Sequence, residues 1–221
     1  MRAVTERIER AGGDPAAIRV VAVTKGFGPD AVRAARDAGV RDLGENYAAE
    51  LVAKAGAARE PADSVAGGAG AASGPVVWHF LGAIQRNKVA ELAPVVGLWQ
   101  SVARAAEGAR IARFAPGAAV LVQVDTTGLA GRNGCRPEDA GDLVAALAAR
   151  GLDVRGLMTV AAPGQAAATE AFATVRRLAD ELGLPERSMG MSDDLELAVA
   201  AGSTMVRIGR ALFGDRPPRP R

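Results

Sequence analysis

Eight short apolar runs recur along the chain, each of strand length and each bounded by Gly, Pro or polar residues. They are RVVAVTK (19–25), VRDLG (40–44), VVWHFLG (76–82), GLWQSV (97–102), AAVLVQVD (118–125), VRGLMTV (154–160), RSMGM (187–191) and TMVRIG (204–209). Runs of this length, near-continuously apolar, read as parallel strands covered on both faces. Helical patterns fill the gaps: PDAVRAARDAGV, ENYAAELVAKAGAARE, QRNKVAELAPV, ARAAEGARIARF, PEDAGDLVAALAARG, QAAATEAFATVRRLADELG and DDLELAVAAG. Pro29 and Pro137 stand at helix starts, where a missing N–H costs nothing. Gly39, Gly151, Gly183 and Gly202 close helices. One further helix is expected over 2–12. Eight strands, seven helices and a short eighth after VRIGR predict an α/β fold, a single (β/α)8 TIM barrel over 1–221 with an extra N-terminal helix. A doubly wound open sheet is the competitor, but no GxGxxG follows the first strand and no P-loop pattern occurs.

Composition narrows the chemistry. The 221 residues are 49% hydrophobic and 24% charged, enough for a core and unlike a disordered chain. A single Cys135 and a single His79 exclude a disulfide framework and a Cys- or His-built metal site. No run reaches the roughly 18 apolar residues of a membrane helix. The opening MRAVTERIERAGGDP lacks the pattern of a signal peptide, so a soluble, cytoplasmic protein is expected. The net charge of +2 is too small, and too evenly spread, to argue for nucleic acid. PADSVAGGAGAASGP (61–75) reads as a mobile surface loop and 215–221, with its RPPRPR, as a frayed tail.

In such a barrel the site lies at the C-terminal ends of the strands. Those positions carry Thr24-Lys25, Gly44-Glu45-Asn46, His79 to Gly82, Gln100-Ser101, Asp125, Met158-Thr159, Met191-Ser192 and Arg207 to Arg210. Lysine is scarce, with only Lys25, Lys54 and Lys88 among 27 basic residues. Lys25 ends the run VVAV, so its stem packs in the barrel mouth. Desolvation there lowers an ammonium's pKa and makes it an amine nucleophile for carbonyls. The alternatives are a lysine snorkelling to solvent or paired with Glu45. Ser192 is expected at a helix start, and Gly209 and Arg210 offer backbone N–H groups at the final short helix. Phosphate sites in this fold use those two loops, although an ordinary N-cap would look the same. Arg207, at the end of an apolar strand, should reach a buried acceptor. A reactive lysine, a phosphate cradle and a neighbouring arginine together suggest a phosphorylated aldehyde, of which pyridoxal 5′-phosphate (PLP) is the commonest.

Across VAVTKGF, AGVRDLGENYAAE, WHFLGAIQRNKV, SVARAAEGARI, VLVQVD, GLMTV and SMGMSDDLELAVAAGSTMVRIGRALFG, in order from about residue 18 to 214, the sequence resembles the pyridoxal phosphate homeostasis proteins. These are single-domain relatives of the alanine racemase N-terminal barrel. The resemblance implies that Lys25 holds PLP as an internal Schiff base and that Asn46 in GENY lines the cofactor site. It implies that Ser192, Gly209 and Arg210 bind the phosphate, and that Arg207 faces the pyridine nitrogen and keeps it unprotonated. Gly26-Phe27 stand where the family usually carries a second lysine or proline, and 61–75 looks inserted.

The implied function is PLP homeostasis without catalysis: a carrier with no catalytic residue and no metal, exchanging cofactor with apo PLP-dependent enzymes. A monomer with neither nucleic acid nor membrane as partner is expected. A racemase or decarboxylase of the same barrel is the enzymatic alternative, yet those take a tyrosine base from an added β-domain, and Tyr47 is the only tyrosine here. A Schiff-base aldolase would carry its lysine on a mid-barrel strand. His79 reads as structural or as a support behind the site, Tyr47 as a packed residue at a helix start, and Cys135 as incidental.

Overall fold

The computed structural model describes residues 1–58 and 75–216. The loop expected at 61–75, apart from Pro75, and the tail beyond Arg216 lie outside the described residues.

In chain order the elements are α1 (Arg2–Arg10), β1 (Arg19–Val23), α2 (Pro29–Asp37), β2 (Asp42–Glu45), α3 (Ala48–Ala58), β3 (Val77–Phe80), α4 (Val89–Leu92), β4 (Val96–Val102), α5 (Ala105–Phe114) and β5 (Ala119–Gln123). They continue with a 3-10 turn (Pro137–Asp139), α6 (Ala140–Ala148), β6 (Asp153–Met158), α7 (Gln165–Glu181), β7 (Glu186–Ser188), α8 (Leu195–Ala200), β8 (Met205–Ile208) and α9 (Arg210–Phe213). The strands pair in parallel in sequence order, and β1 pairs with β8 from Arg19–Met205 to Ala22–Ile208, closing the barrel. The expected TIM barrel and its extra N-terminal helix are what is observed. Several strands are shorter than their apolar runs, because residues such as Thr24 and Lys25 leave the sheet to form the rim. The QRNKVAELAPV helix shrinks to four residues, with Pro94 two residues past its end.

Side chains alternate across each strand. On β1, Val21 packs in the barrel interior with Leu98, Leu121, Met158 and Met205, whereas Ala22 packs outward into the layer under the helices. On β8, Met205 points inward while Val206 and Ile208 pack outward against Val4 and Ile8 of α1. The helices bury one stripe each, as α7 does with Ala168, Ala171, Phe172, Val175, Leu178 and Ala179.

One polar cluster fixes the rim beside β1. Lys54 on α3, only 5% exposed, reaches the Glu45 carboxylate at 2.5 Å and the Thr24 carbonyl at 2.7 Å. The Thr24 hydroxyl donates to the same Glu45 oxygen at 2.7 Å, and the Gly26 N–H donates to Glu50 at 2.8 Å. Burial pushes the Glu45 carboxyl upward, while the Lys54 and Thr24 hydrogen bonds pull it back. The backbone on both sides of Lys25 is thereby held to α3. Removing one partner of a buried ion pair strands the other charge, so Lys54→Met should cost about 3–5 kcal/mol in urea unfolding. Adding Glu45→Gln should recover part of that loss; equal stability of Lys54→Met and wild type would show that the pair does not brace the rim.

Candidate functional site

At the C-terminal rim the barrel opens into a cavity of about 490 Å³. All six residues singled out from the sequence, Lys25, Asn46, Ser192, Arg207, Gly209 and Arg210, line it. Period-two alternation explains much of this convergence. Val21 faces the interior and Val23 and Lys25 line the cavity above it; Met205 faces the interior and Arg207 and Gly209 follow. The strand ends thus carry the interior-facing row into the mouth.

Lys25 is partly buried, and among the described residues its ammonium has no hydrogen-bond acceptor. Burial, first, and then the charges of Arg216 and Arg207 hold its pKa below the ordinary lysine value. A lowered pKa leaves more free amine at neutral pH, the form that attacks carbonyls. The alternative pairing with Glu45 does not occur, because Lys54 occupies that carboxylate.

Arg207 is 4% exposed and reaches buried acceptors, as its strand-end position suggested. Nη1 donates to the Ser188 carbonyl at 2.7 Å and the Ser188 hydroxyl at 2.8 Å, and Nη2 donates to the Thr159 carbonyl at 2.6 Å. Burial lowers its pKa to about 10, so it remains a cation at neutral pH.

Ser192 needs a correction. It lies in the turn before α8, which begins only at Leu195 with Asp194 as the preceding residue. Asp194 makes the turn's local bond, its carboxylate accepting from the Met191 N–H at 2.6 Å. The Ser192 hydroxyl instead accepts from the Ala211 N–H at 3.2 Å, joining this turn to the start of α9. Gly190 makes the turn possible: its φ is +98°, and a Cβ there would lie 2.4 Å from that of Ala198. The N-terminal helix braces the same turn from outside, Arg7 donating to the Ser192 carbonyl at 2.9 Å and pairing with Glu196 at 2.6 Å. Arg210 turns its guanidinium to Asp193, leaving its backbone as its share of the cradle.

Two signals escaped the sequence reading. Arg216 joins the cavity wall, because the chain beyond α9 folds back over the rim; at the end of α9 Phe213 meets Phe27, ring centroids 5.3 Å apart and planes tilted by 51°. The buried set of His79, Gln100 and Ser188 beneath Arg207 was not foreseen as a set, although polar residues inside apolar strands mark it. Tyr47 also differs from expectation: it is 45% exposed rather than packed. Cys135 is partly buried, and burial raises its thiol to about 11, so little thiolate exists at neutral pH. Among the described residues no group of His, Cys, Asp and Glu could hold a metal ion, and no helix is long and apolar enough to cross a membrane.

The lining fits PLP. Lys25, Arg207, Arg210 and Arg216 outnumber Asp193 and Asp215 around the cavity, which favours a phosphate dianion. The Asn46 side-chain oxygen is buried without a hydrogen-bond partner, an acceptor available to a polar group in the cavity.

Comparison with known proteins points the same way. The family described as "alanine racemase, N-terminal domain" matches residues 2–217. A pyridoxal phosphate homeostasis protein from Pseudomonas aeruginosa is 40% identical over 222 residues, covering 96% of this chain and 91% of that one. The protein of that name from Deinococcus radiodurans is 39% identical, with 95% of each chain covered. The structure of PipY from Synechococcus elongatus with PLP bound superposes with a TM-score of 0.78 at 31% identity, covering 96% of this chain and all (100%) of that one. The chain therefore belongs to the alanine racemase N-terminal domain family and, within it, to the pyridoxal phosphate homeostasis proteins.

Proposed function

We propose that this protein binds PLP through a Schiff base on Lys25 and serves PLP homeostasis as a carrier rather than as an enzyme. The observation that carries the reading is the convergence of Lys25, the Ser192 turn, the Gly209-Arg210 backbone and Arg207 on one cavity. It is supported by the relatives' shared name and by the PLP bound to PipY. When bound, the cofactor supplies an electrophilic aldehyde carbon and a ring able to accept charge.

The chain's residues divide the work of holding it. Lys25, kept below its ordinary pKa by burial, supplies a free amine. The Ser192 hydroxyl and the backbone N–H groups of Gly209 and Arg210 take the phosphate, and the Asn46 oxygen accepts from a ring substituent. Arg207 addresses the ring nitrogen. Held by three oxygens and cationic at neutral pH, it can donate a hydrogen bond but not a proton, which weakens the ring as a sink for carbanion charge. Racemisation of a bound amino acid would also need acid–base groups on both of its faces. Lys25 serves one face, whereas Tyr47 and His79 are not among the residues lining the cavity. An open mouth suits exchange of cofactor with apo PLP-dependent enzymes better than protection of a carbanion.

Three measurements bear on this reading. Incubation with PLP should turn the protein yellow, and borohydride reduction with peptide mapping should place the pyridoxyl group on Lys25; finding it on Lys54 or Lys88 would sink the assignment. Ser192→Ala should weaken PLP affinity roughly three- to hundredfold while leaving affinity for unphosphorylated pyridoxal nearly unchanged. Equal losses for both ligands would remove Ser192 from the phosphate site. Holo-protein mixed with L- or D-amino acids in deuterated water should show no sustained α-proton exchange. Exchange at enzyme-like rates, lost in Lys25→Ala, would make the protein a racemase-type enzyme instead.

A further inference from the structure

Beneath the cavity the barrel interior is filled mainly by Val21, Leu98, Ala119, Leu121, Met158 and Met205. Three fully buried polar side chains interrupt this filling: His79 on β3, Gln100 on β4 and Ser188 on β7. The binding reading above gives them no contact with the cofactor. They are nevertheless joined in one line. Arg207 Nη1 lies 2.8 Å from Ser188 Oγ, which lies 2.6 Å from Gln100 Oε1. Gln100 Nε2 lies 2.6 Å from His79 Nδ1, and His79 Nε2 lies 2.8 Å from Asp42 Oδ1.

The direction of every link follows from its ends. A guanidinium can only donate, so Ser188 Oγ accepts from Arg207 and sends its own hydrogen to Gln100 Oε1. The Gln100 amide nitrogen then faces two acceptors, His79 Nδ1 and, at 3.0 Å, Met205 Sδ. With Nδ1 accepting, the imidazole carries its hydrogen on Nε2 and donates to Asp42. Asp42, 23% exposed at the start of β2, ends the line at the opposite rim. Four hydrogen bonds therefore run head to tail through the barrel, from a cation in the cavity wall to a carboxylate. Reversing any one link sets donor against donor or acceptor against acceptor somewhere along the line, which a buried network tolerates poorly.

We propose that Ser188, Gln100 and His79, anchored on Asp42, are positioning residues that hold the Arg207 guanidinium in one orientation and tune the hydrogen bond it offers the cofactor's ring nitrogen. This rests on the reading that Arg207 meets that nitrogen. Polarised chains of this kind strengthen their members cooperatively, so cutting the line one or two links away alters what Arg207 presents to the cavity. Residues serving only as filling would affect stability and nothing at the ring.

The test uses the full-length protein loaded with PLP labelled with 15N in the ring, and reads the nitrogen resonance by NMR. Arg207→Met removes the donor and sets the reference displacement. Ser188→Ala and Gln100→Met, which cut the line without touching the cavity lining, should each move the resonance part of the way to that reference. They should also weaken PLP binding roughly three- to tenfold. Ser203→Ala serves as the control: it removes a buried hydroxyl bonded to the Met189 and Met205 carbonyls, outside the line, and should leave the resonance at the wild-type position. If one cutting variant does not fold, the other decides. Wild-type resonances in the cutting variants, with Arg207→Met displaced, would overturn the relay alone. An undisplaced Arg207→Met would overturn the placement of Arg207 at the ring nitrogen, and the relay with it.

Discussion

The pairing of β1 with β8 is the constraint on which the rest of the molecule depends. Four registered residue pairs, from Arg19–Met205 to Ala22–Ile208, join chain segments some 190 residues apart and leave the sheet without an edge. Once the sheet is closed, period-two alternation sends every second side chain into a space with no exit except at the two rims. Lys25 and Arg207 are one consequence: each follows an interior residue on its strand, Val21 and Met205, and each emerges at the same mouth. A barrel left open between these two strands would separate the lysine from the arginine and the phosphate loops.

Closure also creates an electrostatic problem, and the chain answers it locally. Arg207 is desolvated enough to lower its pKa to about 10, yet the Ser188 and Thr159 carbonyls and the Ser188 hydroxyl meet it directly. Lys25 sits beside it with no acceptor among the described residues, so burial and the neighbouring cations disfavour its ammonium form. That arrangement favours an anionic, carbonyl-bearing ligand. The surrounding structure is correspondingly braced. Lys54 and Glu50 hold the backbone around Lys25, and Arg7 of α1 holds the Ser192 turn. The N-terminal helix is therefore part of the support of the site as well as a cover for the seam between α8 and β8.

Where the sequence reading and the structure part, the reason is short-range geometry hidden by tertiary context. Ser192 preceding DDLELAVA looks like an N-cap, but Asp194, two residues on, makes the local bond and frees the Ser192 hydroxyl for Ala211 on another element. Glu45 looks like a partner for Lys25 because both end neighbouring strands. Alternation puts them on opposite faces of the sheet, and Lys54 of α3 lies on the outer one. Tyr47 looks like a packing residue because aromatic side chains usually are, yet it sits at the exposed start of α3.

The sequence by itself determined the number and order of strands and helices, and from them the barrel. Most strands are buried on both faces towards their C-terminal ends, and that requirement is written locally in the apolar runs. It also determined which residue types could reach the mouth, since rim positions follow from strand ends, and the scarcity of lysine drew attention to Lys25. Only the tertiary structure decided which of these residues meet. The head-to-tail line from Arg207 through Ser188, Gln100 and His79 to Asp42 draws on five strands lying between residues 42 and 207. Each of its members, read in its own segment, is a polar residue with nothing beside it to name its distant partner. The direction of a hydrogen bond depends on what stands opposite, and in a closed barrel what stands opposite is set by register across the interior and not by any neighbour along the chain.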